Sequence, residues 1–317
     1  MQTALADSSQ YPDNDASELR LKIAERHGMQ VEQILVTAGL TDLLGMLART
    51  LLGKELNAVT SERSFIVYRI ATEAANVELI EVPMRNDAFD LTRLAAAVNK
   101  NTRIIFLANP NNPTGTIVTP DEVDRLLSHT PENVVVVLDE AYYEFAAHFA
   151  TRRASPYSRS LDYVREGRNV IVLRTFSKVH GLAGLRIGYG IAPAELIARI
   201  CRHRALYSVS ILAQAGALAA LDDEGHIRKT IENNTDQSQV LNDALSELGY
   251  RTIRTWANFL YCELGQEARG FTERMELEGV AVRCLNQWGA SQAIRITIGT
   301  PEQNQVLLRA LRKAKGS

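Results

Sequence analysis

The sequence predicts an α/β protein: a large, mostly parallel sheet wrapped by helices, followed by a smaller α+β region. Three observations predict it. The runs at 133–138 and 169–173 are almost wholly apolar and rich in Val and Ile, as expected of parallel strands covered on both faces. Such runs alternate with stretches of helical period as far as residue 222. Beyond that point strands and helices mix in a different order. The expected division is therefore a large domain over 1–222 and a small C-terminal domain over 223–317.

Each element has its own local signal. Residues 1–14 are polar and include Tyr11-Pro12. Asp15 reads as an N-cap with Glu18 three residues on, opening a helix that Gly28 closes. A short strand at 33–37 runs into Ala38-Gly39-Leu40-Thr41-Asp42 and an apolar helix to about residue 52. A glycine turn feeding a helix start leaves free N–H groups for an anion. Strands follow at 57–61, 78–82 and 103–108.

The last of these leads into Asn109-Pro110-Asn111-Asn112-Pro113-Thr114-Gly115-Thr116, a turn whose prolines and glycine hold Asn112 in a set direction. Thr119-Pro120-Asp121-Glu122 starts a helix with a cap, a proline at N1 and acids in the first turn. The strand at 133–138 ends at Asp139-Glu140-Ala141-Tyr142. A carboxylate there needs a cationic partner, structural or functional, because an unpaired buried charge is expensive. Residues 145–165 read as a looser connection. Helices are expected at 191–204, 212–222 and 227–248, with Asp222-Asp223-Glu224-Gly225 as a break, and strands at 259–263, 280–283 and 293–298.

Composition narrows the function. With 46% hydrophobic and 23% charged residues over 317, the chain has the make-up of a globular protein with ample core. A formal net charge of −2, without basic clusters, argues against a nucleic-acid binder. The 3 cysteines (Cys201, Cys262, Cys284) are scattered, so no disulfide framework is implied and a cytoplasmic setting is expected. Neither they nor the 6 histidines show metal-ligand spacing, so no metal is expected. No apolar run reaches the roughly 18 residues of a membrane span, and the N-terminus has no signal-peptide pattern.

Chemistry concentrates in Thr175-Phe176-Ser177-Lys178-Val179-His180-Gly181-Leu182-Ala183-Gly184-Leu185-Arg186-Ile187-Gly188-Tyr189. It follows a strand, so Ser177 and Lys178 fall at a carboxyl end, where open α/β sheets bind ligands. Partial burial there lowers a lysine pKa and frees the amine as a nucleophile. Gly181 and Gly184 permit tight turns, and Arg186 offers a fixed charged fork to a phosphate. An amine, a hydroxyl and an arginine in one loop suit a Schiff-base cofactor that carries a phosphate, pyridoxal 5′-phosphate (PLP). Asn112, Asp139, Tyr142, Ser177, Lys178 and Arg186 all lie in loops after strands of one inferred sheet, and such loops converge on one edge.

These motifs resemble the class I/II aminotransferases, PLP-dependent enzymes of fold type I, and their wording is nearest to the histidinol-phosphate aminotransferases. The resemblance rests on Asn109 to Thr116, Asp139 to Tyr142 with Glu144-Phe145, and Thr175 to Tyr189. Weaker support comes from Val282-Arg283-Cys284-Leu285-Asn286-Gln287-Trp288-Gly289 and Arg295-Ile296-Thr297-Ile298-Gly299-Thr300. It implies that Lys178 holds the cofactor and moves a proton, that Asp139 pairs with the pyridine nitrogen, and that Tyr142 and Asn112 bond the ring oxygen. Gly39-Leu40, Ser177 and Arg186 would take the phosphate, and Phe65 would stack on the ring, with core packing as its alternative. Arg295 would clamp a substrate carboxylate. Arg283 would meet the substrate's distal group, or else is a solvated surface arginine. Tyr11 would reach the phosphate in the partner's site of a homodimer.

The chain starts after the point where the family carries an arm with Asn-Glu-Asn-Pro-Tyr. Arg204-Ala205-Leu206-Tyr207-Ser208-Val209-Ser210 also departs from the family's Arg-x-Pro-Phe-Asn-Val-Ser. The expected partners are an amino donor and a 2-oxo acid such as 2-oxoglutarate, with no nucleic acid and no membrane. Two other readings stay open. One is a decarboxylase of a phosphorylated amino acid on the same fold. The other is a non-catalytic sensor, against which the intact lysine, aspartate and tyrosine stand.

Overall fold

The computed structural model describes residues 2–316. Eleven strands carry the architecture: β1 Ile34–Thr37, β2 Asn57–Ser61, β3 Glu78–Val82, β4 Thr102–Ala108, β5 Val135–Asp139, β6 Val170–Thr175, β7 Gly188–Ile191, β8 Arg251–Thr252, β9 Phe259–Glu263, β10 Arg283–Cys284 and β11 Ala293–Thr297. The first seven form one sheet in the order β1-β7-β6-β5-β4-β2-β3, and the last four form a second in the order β10-β11-β9-β8.

In the larger sheet β7 runs antiparallel to both β1 and β6, and every other pairing is parallel. Every residue of β5 and β6 is buried, the burial their continuous apolar runs predict. Register sets the site. Ala108 of β4 lies opposite Asp139 of β5, and Asp139 opposite Leu173 of β6. The loops after these three neighbouring strands therefore rise side by side at one edge. The second sheet is wholly antiparallel and packs one face on helices Ala268–Leu277 and Pro301–Gly316, burying Ile294, Ile296, Phe271, Met275 and Leu311.

Several local expectations need correction. Asp15 is not the cap of the first long helix, Ser17–His27. Ala16 stands at that position with φ 47°, and Asp13 does the capping, accepting from Ser17 N at 2.6 Å and Asp15 N at 2.9 Å. Residues 145–165 are not loose: they form helices Tyr143–Arg153 and Ser160–Arg165, anchored by buried Phe145, Ala146 and Phe149.

The helix expected at 191–204 is shorter, Ala194–Cys201, because β7 and Pro193 precede it. In the sequence the glycines of β7 look like a turn, which conceals the strand. They are there for space. A Cβ on Gly188 would lie 3.0 Å from Leu40 Cδ2 and 3.1 Å from the Arg174 carbonyl. The strand expected at 280–283 pairs only at Arg283–Cys284, and the two-residue β8 had no pattern to betray it.

Candidate active site

Four loops, those after β2, β4, β5 and β6, and one helix start line a cavity of about 190 Å³ at the carboxyl edge of the larger sheet. Leu40, Phe65, Asn112, Asp139, Tyr142, Ser177, Lys178 and Arg186 all line it, together with Thr41, Ala108 and Thr175. Eight of the residues singled out in the sequence thus meet in one place.

Its anionic-ligand end is built from backbone. Gly39, with φ 84°, precedes helix Leu40–Leu51, so the first N–H groups of that helix open on the cavity. The Arg186 guanidinium lies directly over Gly39, and a Cβ there would sit 2.7 Å from it. The guanidinium could swing aside, but the φ of Gly39 is one that side-chain-bearing residues rarely adopt. Arg186 itself is held at φ 53° and donates to Ala183 O at 3.0 Å. A left-handed arginine is strained, and strain of this kind gathers at functional sites. Ser177 N donates to Thr175 Oγ1 at 3.1 Å, which fixes the turn that presents Ser177 and Lys178.

The other end is a buried carboxylate. Burial pushes the Asp139 carboxyl up to about 6, against the pull of a hydrogen bond from Tyr68 Oη at 2.9 Å, one from Ala141 N at 3.2 Å, and the Lys178 charge. Tyr68 is 1% exposed and stacks on Phe106 with ring centroids 4.7 Å apart, so its hydroxyl has little freedom. The sequence reading missed Tyr68. Its signal was the spacing: three residues after Phe65, it packs edge-on against that ring at 5.7 Å.

Asn112 is 7% exposed, and its Oδ1 accepts from Arg295 Nη1 at 2.6 Å, which brings β11 of the second sheet to the cavity. The neighbouring Asn111 bonds Arg63 O at 3.0 Å and accepts from Ser64 Oγ at 2.9 Å, tying the asparagine turn to the segment that bears Phe65. Trp288 Nε1 donates to Ser64 O at 2.6 Å from the second sheet's side. Lys178 Nζ stands 5.0 Å from the Tyr142 ring centroid.

Arg295 is directly opposite Arg283 in the β10–β11 ladder, and both line a second cleft with Arg269. Among the described residues Arg295 Nε is buried without a hydrogen-bond partner, and burial, with Arg283 beside it, makes its charge costlier to hold. Tyr11 does not line the cavity. It is 81% exposed and stacks on Tyr207 at 4.7 Å.

A flat molecule with an anion at one end and a basic ring nitrogen at the other fits these groups. The glycine cradle under Arg186 suits the anion, and the buried Asp139 carboxylate suits an N–H on the ring nitrogen. Fold and cavity together define a PLP-dependent enzyme of fold type I. The chain belongs to the class I and II aminotransferases, whose family model matches residues 3–311, and it is an enzyme that transfers amino groups with PLP as cofactor.

Its relatives agree. A histidinol-phosphate aminotransferase from Moorella thermoacetica is 40% identical over 304 residues, 96% of this chain and 77% of that one. The structure of a histidinol-phosphate aminotransferase from Sinorhizobium meliloti in complex with pyridoxal-5′-phosphate matches with TM-score 0.92 at 28% identity, covering 99% of this chain and 85% of that chain. An L-threonine-O-3-phosphate decarboxylase from Porphyromonas gingivalis matches with TM-score 0.82 at 26% identity, over 99% and 93%. No described helix is long and apolar enough to cross a membrane.

Proposed function

We propose that this aminotransferase takes its amino group from histidinol phosphate or a closely similar phosphorylated or aromatic amine, with 2-oxoglutarate as acceptor. The observation that carries the proposal is the Arg283–Arg295 pair. Two cations set directly opposite in a ladder repel each other, and Arg295 Nε has no hydrogen-bond partner among the described residues, so the cleft calls for anions. A phosphate on the donor and carboxylates on the acceptor supply them in turn. The relative from Moorella thermoacetica acts, by its name, on histidinol phosphate.

When bound, PLP supplies a ring that accepts the electron pair left as the substrate Cα–H bond breaks. The residues do the rest. Lys178 would hold the cofactor, and its Nζ would move the proton from the substrate Cα. Asp139 holds a proton on the ring nitrogen, and Tyr68 holds Asp139. Tyr142 and Asn112 orient the ring oxygen, while Ser177, Arg186 and the N–H groups after Gly39 anchor the phosphate. Phe65 covers one ring face. Arg295 grips the α-carboxylate through a two-pronged pair, and Arg283 takes the distal anion.

The same reading divides the chain into domains 1–222 and 223–317 and makes it a cytoplasmic homodimer with shared sites. Exposure of Tyr11, and of Leu206 at 75%, supports a partner on that face. The likeness to the Porphyromonas gingivalis decarboxylase keeps one alternative: a donor rotated in the cavity would lose CO2 in place of a proton. Incubating the enzyme with each candidate donor, and following glutamate formation beside CO2 release, tests both. Glutamate from histidinol phosphate is the expected result, and CO2 release without glutamate would overturn it. For the dimer, mixing Tyr11→Ala and Lys178→Ala chains at limiting cofactor should raise activity above the average of the two variants. Exchange without a rise would place Tyr11 in its own chain's service or none.

A further inference from the structure

Between the two sheets lies a small apolar cluster of Tyr142, Phe145, Val179, Ala257 and Phe259, with Ile227 and Ile231 packed against it. Its members come from the loop after β5 and the helix Tyr143–Arg153 that follows, the lysine loop, the start of β9 and the long helix Glu224–Glu247. Three of these segments sit beside reactive groups: Tyr142 is one, Val179 follows Lys178, and Phe259 adjoins Arg295.

Phe259 is the centre of this arrangement. It is 2% exposed and opposes Thr297 in the β9–β11 register, so Arg295, two residues before Thr297, is its diagonal neighbour on the same face. The Arg295 Cζ lies 5.1 Å from the Phe259 ring centroid. The Tyr142 ring meets Phe259 at 5.2 Å and 81°, the edge-to-face geometry that aromatic pairs prefer. Lys178 Nζ lies 5.0 Å from the far member of the pair, Tyr142. A guanidinium, two rings and an amine thus form one continuous series across the boundary between the sheets. Every link prefers a particular orientation, because a ring attracts cations at its face and other rings through its edge.

We propose that Phe259 is a positioning residue: its ring sets Arg295 against Tyr142, and so fixes where the substrate carboxylate stands relative to Lys178. The inference rests on the roles given to Arg295, Tyr142 and Lys178 above and adds a residue that touches none of the reacting atoms. A leucine at 259 fills much of the space but has no charged-ring face and no edge, so both neighbours lose their orientation while the cluster stays apolar.

The test compares Phe259→Leu, Phe259→Tyr and Ile231→Ala in the cofactor-loaded enzyme. For Phe259→Leu the KM for 2-oxoglutarate should rise about 5- to 30-fold, the scale of a lost buried cation–ring contact, with kcat falling less. The pH midpoint of the cofactor's absorption band, which reports the groups around its ring oxygen, should move with it. Phe259→Tyr keeps the ring and should restore both to within about 3-fold of wild type. Ile231→Ala loosens the same cluster but removes no ring and no charge from the series, and should move neither. If Phe259→Leu loses its folded circular dichroism, Phe259→Met carries the same expectation. An unchanged KM and midpoint in the leucine or methionine variant, or an equal change in Ile231→Ala, would overturn the proposal. Failure of the wild type to use 2-oxoglutarate at all would instead sink the site reading beneath it.

Discussion

In the larger sheet the side chains proposed to react stand where strands stop. Asp139 is the last residue of β5, Lys178 comes three residues after β6, and Asn112 follows β4 by four. In the four-stranded sheet Arg295 lies inside β11, on the face opposite the buried Ile294 and Ile296. The two placements have different physical costs. A loop residue is as well fixed as the strand ends and turn bonds behind it, and here three adjacent buried strands supply them. A strand residue is fixed by its own ladder, but its chemistry is confined to one face and must be brought to the cavity by contacts such as Arg295 with Asn112. Under the proposed roles, chemistry would belong to the first sheet and substrate selection to the second.

Variants can break that division. The largest effect is expected for Lys178→Ala, which should lower turnover by more than about 10⁴-fold, the upper range for a lost acid–base group, while keeping the fold. Borohydride should trap the cofactor on the Lys178 peptide in wild type, and trapping on another lysine would remove Lys178 from the role. Next comes Asp139→Asn, with kcat down about 10²- to 10³-fold and KM little changed, since the interaction strengthens only as charge moves into the ring. Single-turnover rates would show it.

Asp139 also predicts a pH dependence in the cofactor-free protein. Its carboxyl is raised from 3.8 to about 6 on folding, so the folded chain holds that proton more tightly than the unfolded chain. The stability this contributes is complete below pH 3.8 and lost as pH rises through 6. Asp139→Asn should then melt higher than wild type at pH 8, by something on the order of 2–3 kcal/mol, and the gap should close toward pH 4. A constant gap across that range would mean Asp139 does not titrate as described.

For the second sheet, Arg295→Ala should raise the KM for the 2-oxo acid roughly 10- to 100-fold, the worth of a charged hydrogen-bonded pair, and alter kcat far less. If kcat falls as steeply as in Asp139→Asn, the division between the sheets is wrong. The smallest effect is structural. Gly188→Ala should cost about 1–3 kcal/mol of stability, because its methyl group meets Leu40 and the Arg174 carbonyl, and thermal melts would register it.

The same contrast explains what could be read in the sequence. β5 and β6 are legible because burial on both faces leaves a continuous apolar run, and the motifs that follow them are strung along the chain. β7 is equally buried but hides, since Gly188 and Gly190 answer to Leu40, Leu43 and Ile171 rather than to any local pattern. β8 and β10 are too short to show alternation. Tyr68 and Phe259 act through rings and a hydroxyl aimed at residues more than 70 and 30 positions away in sequence, Asp139 and Arg295. Only the assembled molecule brings them together. Asp13 displaced Asp15 as cap because Ala16 takes a left-handed conformation, which nothing in its identity announces.

One rung of the second sheet has a consequence for its breathing. β10 is joined to β11 through two residue pairs, and one of them is Arg283 with Arg295. Without an anion, half of this edge strand's pairing is electrostatically opposed, so β10 should fray often and its amides exchange quickly with solvent. A bridging dicarboxylate or phosphate turns the opposing rung into a closing one. The exchange rate of the Arg283–Cys284 segment then becomes a gauge of anion occupancy, readable in protein that carries no cofactor and performs no reaction.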